Sequence, residues 1–241
     1  MDEAIGKQVD LHRNASLEKS GPRDILDLAL NDPEYGKQAT TSEIIDQMKT
    51  FWFAGNDTTS SVLCWVFVYL HRNPPALATL RKEIADVFGT KDVANQIIEN
   101  PKLLNQLDYT LAVIRETLRL EPPAQMIRTT HEPYHVTTRS GNSYVIDKGT
   151  AILINSYQMA RTENIWGKDA LEFKPERFLA GNIPIAFMPF SKRPRDCIGT
   201  NLAYLEVQLR VVSRLILDAD YSCFDDSKVS FHTGGGSLSG N

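Results

Sequence analysis

The chain has 241 residues, 42% of them hydrophobic, and a formal net charge of −4. That length can bury a sizeable core and allows one large domain or two small ones, of which one is expected, and the acidic balance leaves no basic excess for gripping a phosphate backbone, so nucleic acid is set aside as a partner. Three cysteines, Cys64, Cys197 and Cys223, show neither metal-ligand nor even-numbered disulfide spacing, which suits a reducing or cytosol-facing compartment.

Met1 to Asn14 alternates charge and polarity and lacks the apolar run of a signal peptide or anchor. Residues 1–41 read as a lead-in. Ser42 to His71 reads as one long helix, capped by Thr41 or Ser42 and closed before Asn73-Pro74-Pro75. Apolar residues on nearly every side predict burial through the centre of the protein. The stretch Phe51 to Leu70 has the length of a membrane span, but Asn56, Asp57 and the run Thr58-Thr59-Ser60-Ser61 interrupt it. A core helix is therefore expected, and no membrane span. Pro75 to Phe88 follows as an amphipathic helix ending at Gly89, with Leu77, Leu80 and Ile84 along one stripe. Leu107, Leu111, Ile114 and Leu118 then repeat at helical spacing up to Pro122-Pro123. Three helices thus precede any strand, within a helical part spanning 42–121.

Between Tyr134 and Ile154 the period changes to two, broken by Arg139-Ser140-Gly141-Asn142 and Asp147-Lys148-Gly149, which predicts one small sheet within 122–181. Irregular sequence runs from Arg161 to Arg195. A last helix starts after Cys197 and reaches about Leu217, so 182–224 hold the cysteine segment and that helix. Residues 225–241 read as a loose tail, polar and Gly/Ser-rich from Ser227. The fold class expected is mainly α with a small β-sheet.

Three constellations carry chemistry. In Phe190-Ser191-Lys192-Arg193-Pro194-Arg195-Asp196-Cys197-Ile198-Gly199, one cysteine is fenced by an aromatic, basic residues and a glycine ahead of an apolar helix. This reads as a heme-thiolate loop, whose ligand favours O–O cleavage; the blander reading is a buried cysteine acting as a small hydrophobe. Cys197 as a nucleophile activated by arginines lacks a nearby histidine base. Glu116-Thr117-Leu118-Arg119 sets a carboxylate and a guanidinium three residues apart on one helix face, and Arg177 offers a second guanidinium for a buried network. Ala54-Gly55-Asn56-Asp57-Thr58-Thr59 places a glycine and an acid mid-helix, against propensity and burial alike. Gly55 would admit a flat cofactor or substrate, while Asp57 and Thr58 could relay protons. The competing reading is a polar kink with threonines bonded back to carbonyls.

In this order and separation, the motifs resemble the cytochrome P450 superfamily of heme-thiolate monooxygenases, over the C-terminal half of a member, from about Pro22 to Phe224. The resemblance implies heme b with Cys197 as axial iron ligand, Arg195 and Arg128 as propionate partners, Phe190 shielding the sulfur, and Gly199 opening the last helix close under the porphyrin. It makes Glu116, Arg119 and Arg177 a structural triad, and Asp57 and Thr58 the proton delivery to dioxygen. Phe51, Ala54, Gly55, Gln125, Met126 and Ile127 lie where the family lines its substrate pocket. Trp166-Gly167 and Tyr144 to Thr150 match lesser signatures.

The activity implied is insertion of one oxygen atom of dioxygen into an apolar small molecule. No Gly-x-Gly-x-x-Gly follows a strand, so electrons are expected from a separate, flavin-containing reductase docking near Lys192, Arg193 and Arg195. A full-length relative would carry an N-terminal half with a membrane anchor and could associate with the endoplasmic reticulum; here the chain starts just before the long helix. The alternative is a truncated, non-catalytic remnant with weak or no heme binding. Arg193 stands where the family's loop usually carries glycine, and a positive φ there would cost about 1–2 kcal/mol.

Overall fold

The computed structural model describes residues 1–14, 24–89, 92–192 and 194–216. The chain divides into two compact units, Met1–Thr58 and Thr59–Asn241. Its helices are α1 (Asp2–Asn14), α2 (Ile25–Asn31), α3 (Tyr35–Gln38), α4 (Thr41–Arg72), α5 (Pro74–Phe88), α6 (Val93–Glu99), α7 (Asp108–Leu120), α8 (Ser156–Met159), α9 (Glu163–Trp166) and α10 (Thr200–Ile216). The strands are β1 (Met126–Thr129), β2 (Tyr134–Thr137), β3 (Ser143–Ile146) and β4 (Ala151–Ile154), and short 3-10 helices occupy Pro101–Gln106 and Pro175–Phe178.

In the first unit, α1 is a helix within the expected lead-in, where the sequence marks no helix. Its apolar stripe is little more than Ile5 and Val9, one turn apart, too short a signal to stand out among charges. Val9, Leu26 and Ile44 nevertheless form a core, with Leu30 and Met48 against it. A clasp ties α1 to α2. His12 Nε2 lies 3.1 Å from an Asp24 oxygen and 3.7 Å from one of Asp27, while its Nδ1 is 2.8 Å from the Gln8 carbonyl. The Gln8 carbonyl and then the Asp24 carboxylate raise the His12 pKa. Asp24 caps α2 reciprocally with Asp27, and the Asp27 amide, together with His12, lowers the pKa of Asp24.

Helix α4 begins within one residue of expectation, but its cap is Thr40 rather than Thr41 or Ser42. Glu43 N–H donates to Thr40 Oγ1 at 3.2 Å, and Thr40 N–H donates to Glu43 at 2.8 Å. The expected burial along its whole length is not found. Residues 50–57 are exposed, with Trp52 and Phe53 at 57% and 64%, and burial resumes at Thr59. The apolar residues around the helix therefore serve a core only at its two ends, Ile44 and Met48 in the small core of the first unit and Val62, Val66 and Leu70 in the main core.

That core belongs to the second unit. It joins Leu80 and Ile84 of α5, Val113, Ile114 and Leu118 of α7, and Val207, Val211 and Leu215 of α10. Helix α7 is buried on nearly every side, and its start is held by a neighbour. The Glu83 carboxylate accepts from Tyr109 N–H at 2.6 Å, Thr110 N–H at 2.8 Å and the Thr110 hydroxyl at 2.7 Å. Burial, then a hydrogen bond to Glu176, pushes the Tyr109 phenol pKa up.

The expected single sheet is instead two antiparallel pairs, β1 with β4 and β2 with β3. β1 lies upstream of the expected stretch because Met126-Ile127-Arg128-Thr129 follows two prolines and mixes apolar with charged residues. Its register sets Met126 opposite Ile154 and Arg128 opposite Ile152. Seven α-helices, not three, precede β1 among the described residues. The segment from Arg161 is irregular apart from α9 and one short 3-10 helix, and α10 starts after Cys197 as expected.

Candidate functional site

Two constellations of the second unit are brought together in space. The first is polar and buried. Arg119 and Glu116 have fully buried side chains, with Arg119 Nε donating to Glu116 Oε2 at 2.7 Å and Nη2 to Oε1 at 2.8 Å. The other Arg119 N–H groups reach the carbonyls of Ala160, Ala170 (2.7 Å) and Glu172 (3.0 Å), so all five donors are used. Arg177 Nε donates to Glu116 Oε1 at 3.0 Å and its Nη2 to the Asp169 carbonyl at 2.9 Å. Lys174 N–H also donates to Glu116, at 2.8 Å. The Lys174 ammonium, then Arg177, holds the Asp169 carboxyl below its usual pKa. Glu116, Arg119 and Arg177 thus meet in one network that pins α7 to the irregular segment. Sequence spacing could not show that most of Arg119's partners are backbone carbonyls, nor that its guanidinium lies 5.0 Å from the Trp166 ring centre.

The second constellation is open. Cys197 is an exposed free thiol, so the reading of a buried, inert cysteine does not hold. Its backbone N–H donates to the Phe190 carbonyl at 2.8 Å, which closes the loop, and Phe190 itself packs on Tyr204 of α10 with ring centres 5.1 Å apart. Arg128 of β1 reaches this loop, donating to Ser191 Oγ at 3.0 Å. Ser191, unremarked in the sequence, has φ of 67°, a conformation that costs a non-glycine residue about 1–2 kcal/mol. The expectation of strain fell on Arg193, which lies outside the described residues. Arg195 is exposed two residues before the thiol, and Lys192 donates to the Ile185 carbonyl at 2.7 Å. A Cβ at Gly199 would sit 3.8 Å from Cys197 Sγ, in ordinary van der Waals contact, so space alone does not require glycine there.

The remaining candidates are placed as follows. Phe51, Ala54, Gly55 and Asp57 are exposed on α4 in the first unit, so the argument from a buried acid does not apply to Asp57. Thr58 Oγ1 donates to the Ala54 carbonyl at 2.8 Å, as the back-bonding reading expects, and the helical assignment of α4 continues past it to Arg72. Beyond its chain neighbours and the helix's own backbone, no atom of the described residues lies within 4 Å of a Cβ placed at Gly55. In the second unit Gln125 accepts from Ser156 N–H at 3.2 Å, Met126 is half-buried and Ile127 is exposed. No helix among the described residues is long and apolar enough to cross a membrane.

The second constellation fits a heme. It offers one soft sulfur ligand with a clear approach, guanidiniums at 128 and 195 to meet carboxylates, and exposed apolar surface at Ile198 and Leu202. The sequence is 38% identical over 176 residues to the 7-deoxyloganic acid hydroxylase of Catharanthus roseus, covering 70% of this chain and 32% of that protein. It is 35% identical over 196 residues to a cytokinin hydroxylase of Arabidopsis thaliana, covering 77% and 36%. It is also 33% identical over 190 residues to a self-sufficient cytochrome P450 monooxygenase of Phanerodontia chrysosporium, covering 76% and 17%. The chain spans about a third or less of the length of these relatives. The model of the Cytochrome P450 family matches residues 3–217, and the chain belongs to that family.

Proposed function

We propose that the chain provides the heme-thiolate part of a monooxygenase that inserts one atom of dioxygen into an apolar small organic molecule. The observation that carries this reading is the open Cys197 loop, its thiol exposed and its arginines ready for carboxylates. When bound there, a thiolate-ligated heme b would supply oxygen activation and O–O cleavage. Cys197 Sγ would hold the iron, while Arg195 and Arg128 would pair with the propionates. Arg128 keeps donors to spare beyond its bonds to Ser191 and the Ile127 carbonyl. Phe190 backs the loop through its carbonyl and its ring. The Glu116, Arg119 and Arg177 network fixes the framework behind it.

Asp57 and Thr58 would move protons. The Thr58 proton rests on the Ala54 carbonyl, and rotating the hydroxyl away from it frees the proton for transfer. By the family resemblance Phe51, Ala54, Gln125, Met126 and Ile127 would each contact the substrate; all but Gln125 are apolar, which supports an apolar substrate class. A separate flavin-containing reductase would supply electrons. The names of the relatives, hydroxylases and a monooxygenase, support this reaction class. A second reading, a heme-poor and non-catalytic chain, draws on the same exposure: Ile198, beside the ligand, is 92% exposed.

One experiment separates the two readings. The full chain is titrated with hemin, reduced under carbon monoxide and scanned. The strongly red-shifted Soret band of thiolate ligation should appear in the wild type and vanish in Cys197→Ser. A wild type without the band sinks the monooxygenase reading; a Cys197→Ser variant that keeps it removes the sulfur from its role.

A further inference from the structure

We propose that Trp166 is a positioning residue for the cysteine loop, acting through its ring on Phe187 and through one water that its Nε1–H holds against residues 186–189. Trp166 closes α9 and is 8% exposed. Among the described residues, its Nε1 is the buried side-chain polar atom that finds no partner in the protein. Buried indole N–H groups ordinarily have one, so the orphan marks a place where something else accepts. A small cavity lies against this residue, with Ser156, Ala186, Met188 and Pro189 among its walls, and it has room for about one water molecule. Arg119 also lines it, but all five of its N–H groups are taken. The Ser156 hydroxyl is the other polar side-chain group on the wall. Indole N–H and hydroxyl together give a water the two partners it needs.

The position of this site makes it a link. On one side the Trp166 ring meets Arg119, at the centre of the buried network. On the other it meets Phe187 edge-on, with centroids 6.4 Å apart and planes at 85°, and Phe178 closes the cluster at 4.8 Å from Phe187. Beyond Phe187 the chain runs straight into the loop. The Met188 carbonyl accepts from Ser191 N–H at 3.0 Å, Ser191 holds Arg128, and the Phe190 carbonyl accepts from Cys197 N–H at 2.8 Å. A shift at residues 187 and 188 therefore reaches the sulfur through two backbone hydrogen bonds. The value of this positioning for chemistry rests on the heme-thiolate reading, whereas the link itself is a property of the heme-free chain.

The test uses the full, heme-free chain with nitrogen-labelled indoles. The Trp166 indole proton should exchange slowly and show cross-relaxation to a bound water. Trp166→Phe keeps a ring and deletes the donor. It should lower amide-exchange protection at Ser191 and Cys197 by about tenfold, while Val113 and Ile114 of α7 keep theirs, because only the loop opens more often. Ala186→Val narrows the cavity without touching the ring; it should displace the water with the same selective loss, and it decides the matter if Trp166→Phe does not fold. Protection unchanged at Ser191 and Cys197, a uniform fall that includes α7, or an indole proton with no water signal each overturns the proposal. In hemin-loaded protein Trp166→Phe should raise the share of the neutral-thiol carbon monoxide band. A wild type that fails to load heme counts against the monooxygenase reading, and the amide measurement still decides the link.

Discussion

Arg119 and Arg128 belong to the same unit and have opposite surroundings. Arg119 commits all five N–H groups to Glu116 and three backbone carbonyls in the buried interior. Arg128 bonds a neighbouring carbonyl and Ser191 and leaves the rest of its guanidinium to solvent. The first region is satisfied by the chain's own atoms, which is the condition for a buried charge network to stabilise a fold. The second presents donors and a sulfur that the chain does not use, as a binding surface must. The two regions should therefore respond to substitution in opposite ways, the first through stability and the second through ligand binding.

The largest effect is expected at Arg119. Arg119→Leu strips Glu116 of its bidentate partner and leaves the carbonyls of Ala160, Ala170 and Glu172 without a donor. Breaking a buried pair by removing one partner costs about 3–5 kcal/mol. We predict a loss of this size in urea unfolding followed by far-ultraviolet circular dichroism. A loss below about 1 kcal/mol, the range of exposed ion pairs, would show that the network does not organise the unit.

A smaller effect is expected one step away, where Glu83 caps α7 without touching Arg119. Glu83→Gln keeps the shape and one acceptor oxygen but gives up the charge that faces the helix start at Tyr109 and Thr110. Loss of a cap of this kind costs about 1–2 kcal/mol. We predict that denaturant midpoints place this variant between wild type and Arg119→Leu. If it equals Arg119→Leu, the network and the cap are one cooperative unit rather than two.

Much of this division was legible in the sequence. The Glu116 and Arg119 spacing fixes one helix face, and the cysteine sits between an aromatic and a glycine at loop-making intervals. Long helices with a continuous stripe, α5 and α7, were readable for the same reason, since periodicity is a local signal. What escaped was set by partners distant in the chain. Glu83 reaches α7 across 26 residues and Arg119 reaches Ala170 across 51, and no pattern within a window encodes either. The exposure of stretch 50–57 of α4 is not legible in the sequence, because apolar residues on all sides look the same whether or not anything packs on them. Trp166 carried a recognisable short signature, but its stacking on Arg119 depends on the fold of the irregular segment.

The smallest effect on stability should occur where the chemistry is concentrated. Cys197 is exposed, and the hydrogen bond that closes its loop comes from its backbone N–H, which serine retains. Surface substitutions away from packing and caps usually change stability by no more than about 0.5 kcal/mol. We predict that Cys197→Ser in the heme-free chain unfolds within that margin of wild type. A loss of 2 kcal/mol or more would mean that the sulfur is part of the core and that the contrast between the closed and open regions is wrong. Equal stability, together with loss of the thiolate spectrum, would assign the residue to ligand binding alone. The contrast with Arg119 then has a physical basis: an interior charge is tolerated only when the fold completes its bonding, whereas a ligand site needs bonding capacity that the fold leaves unused.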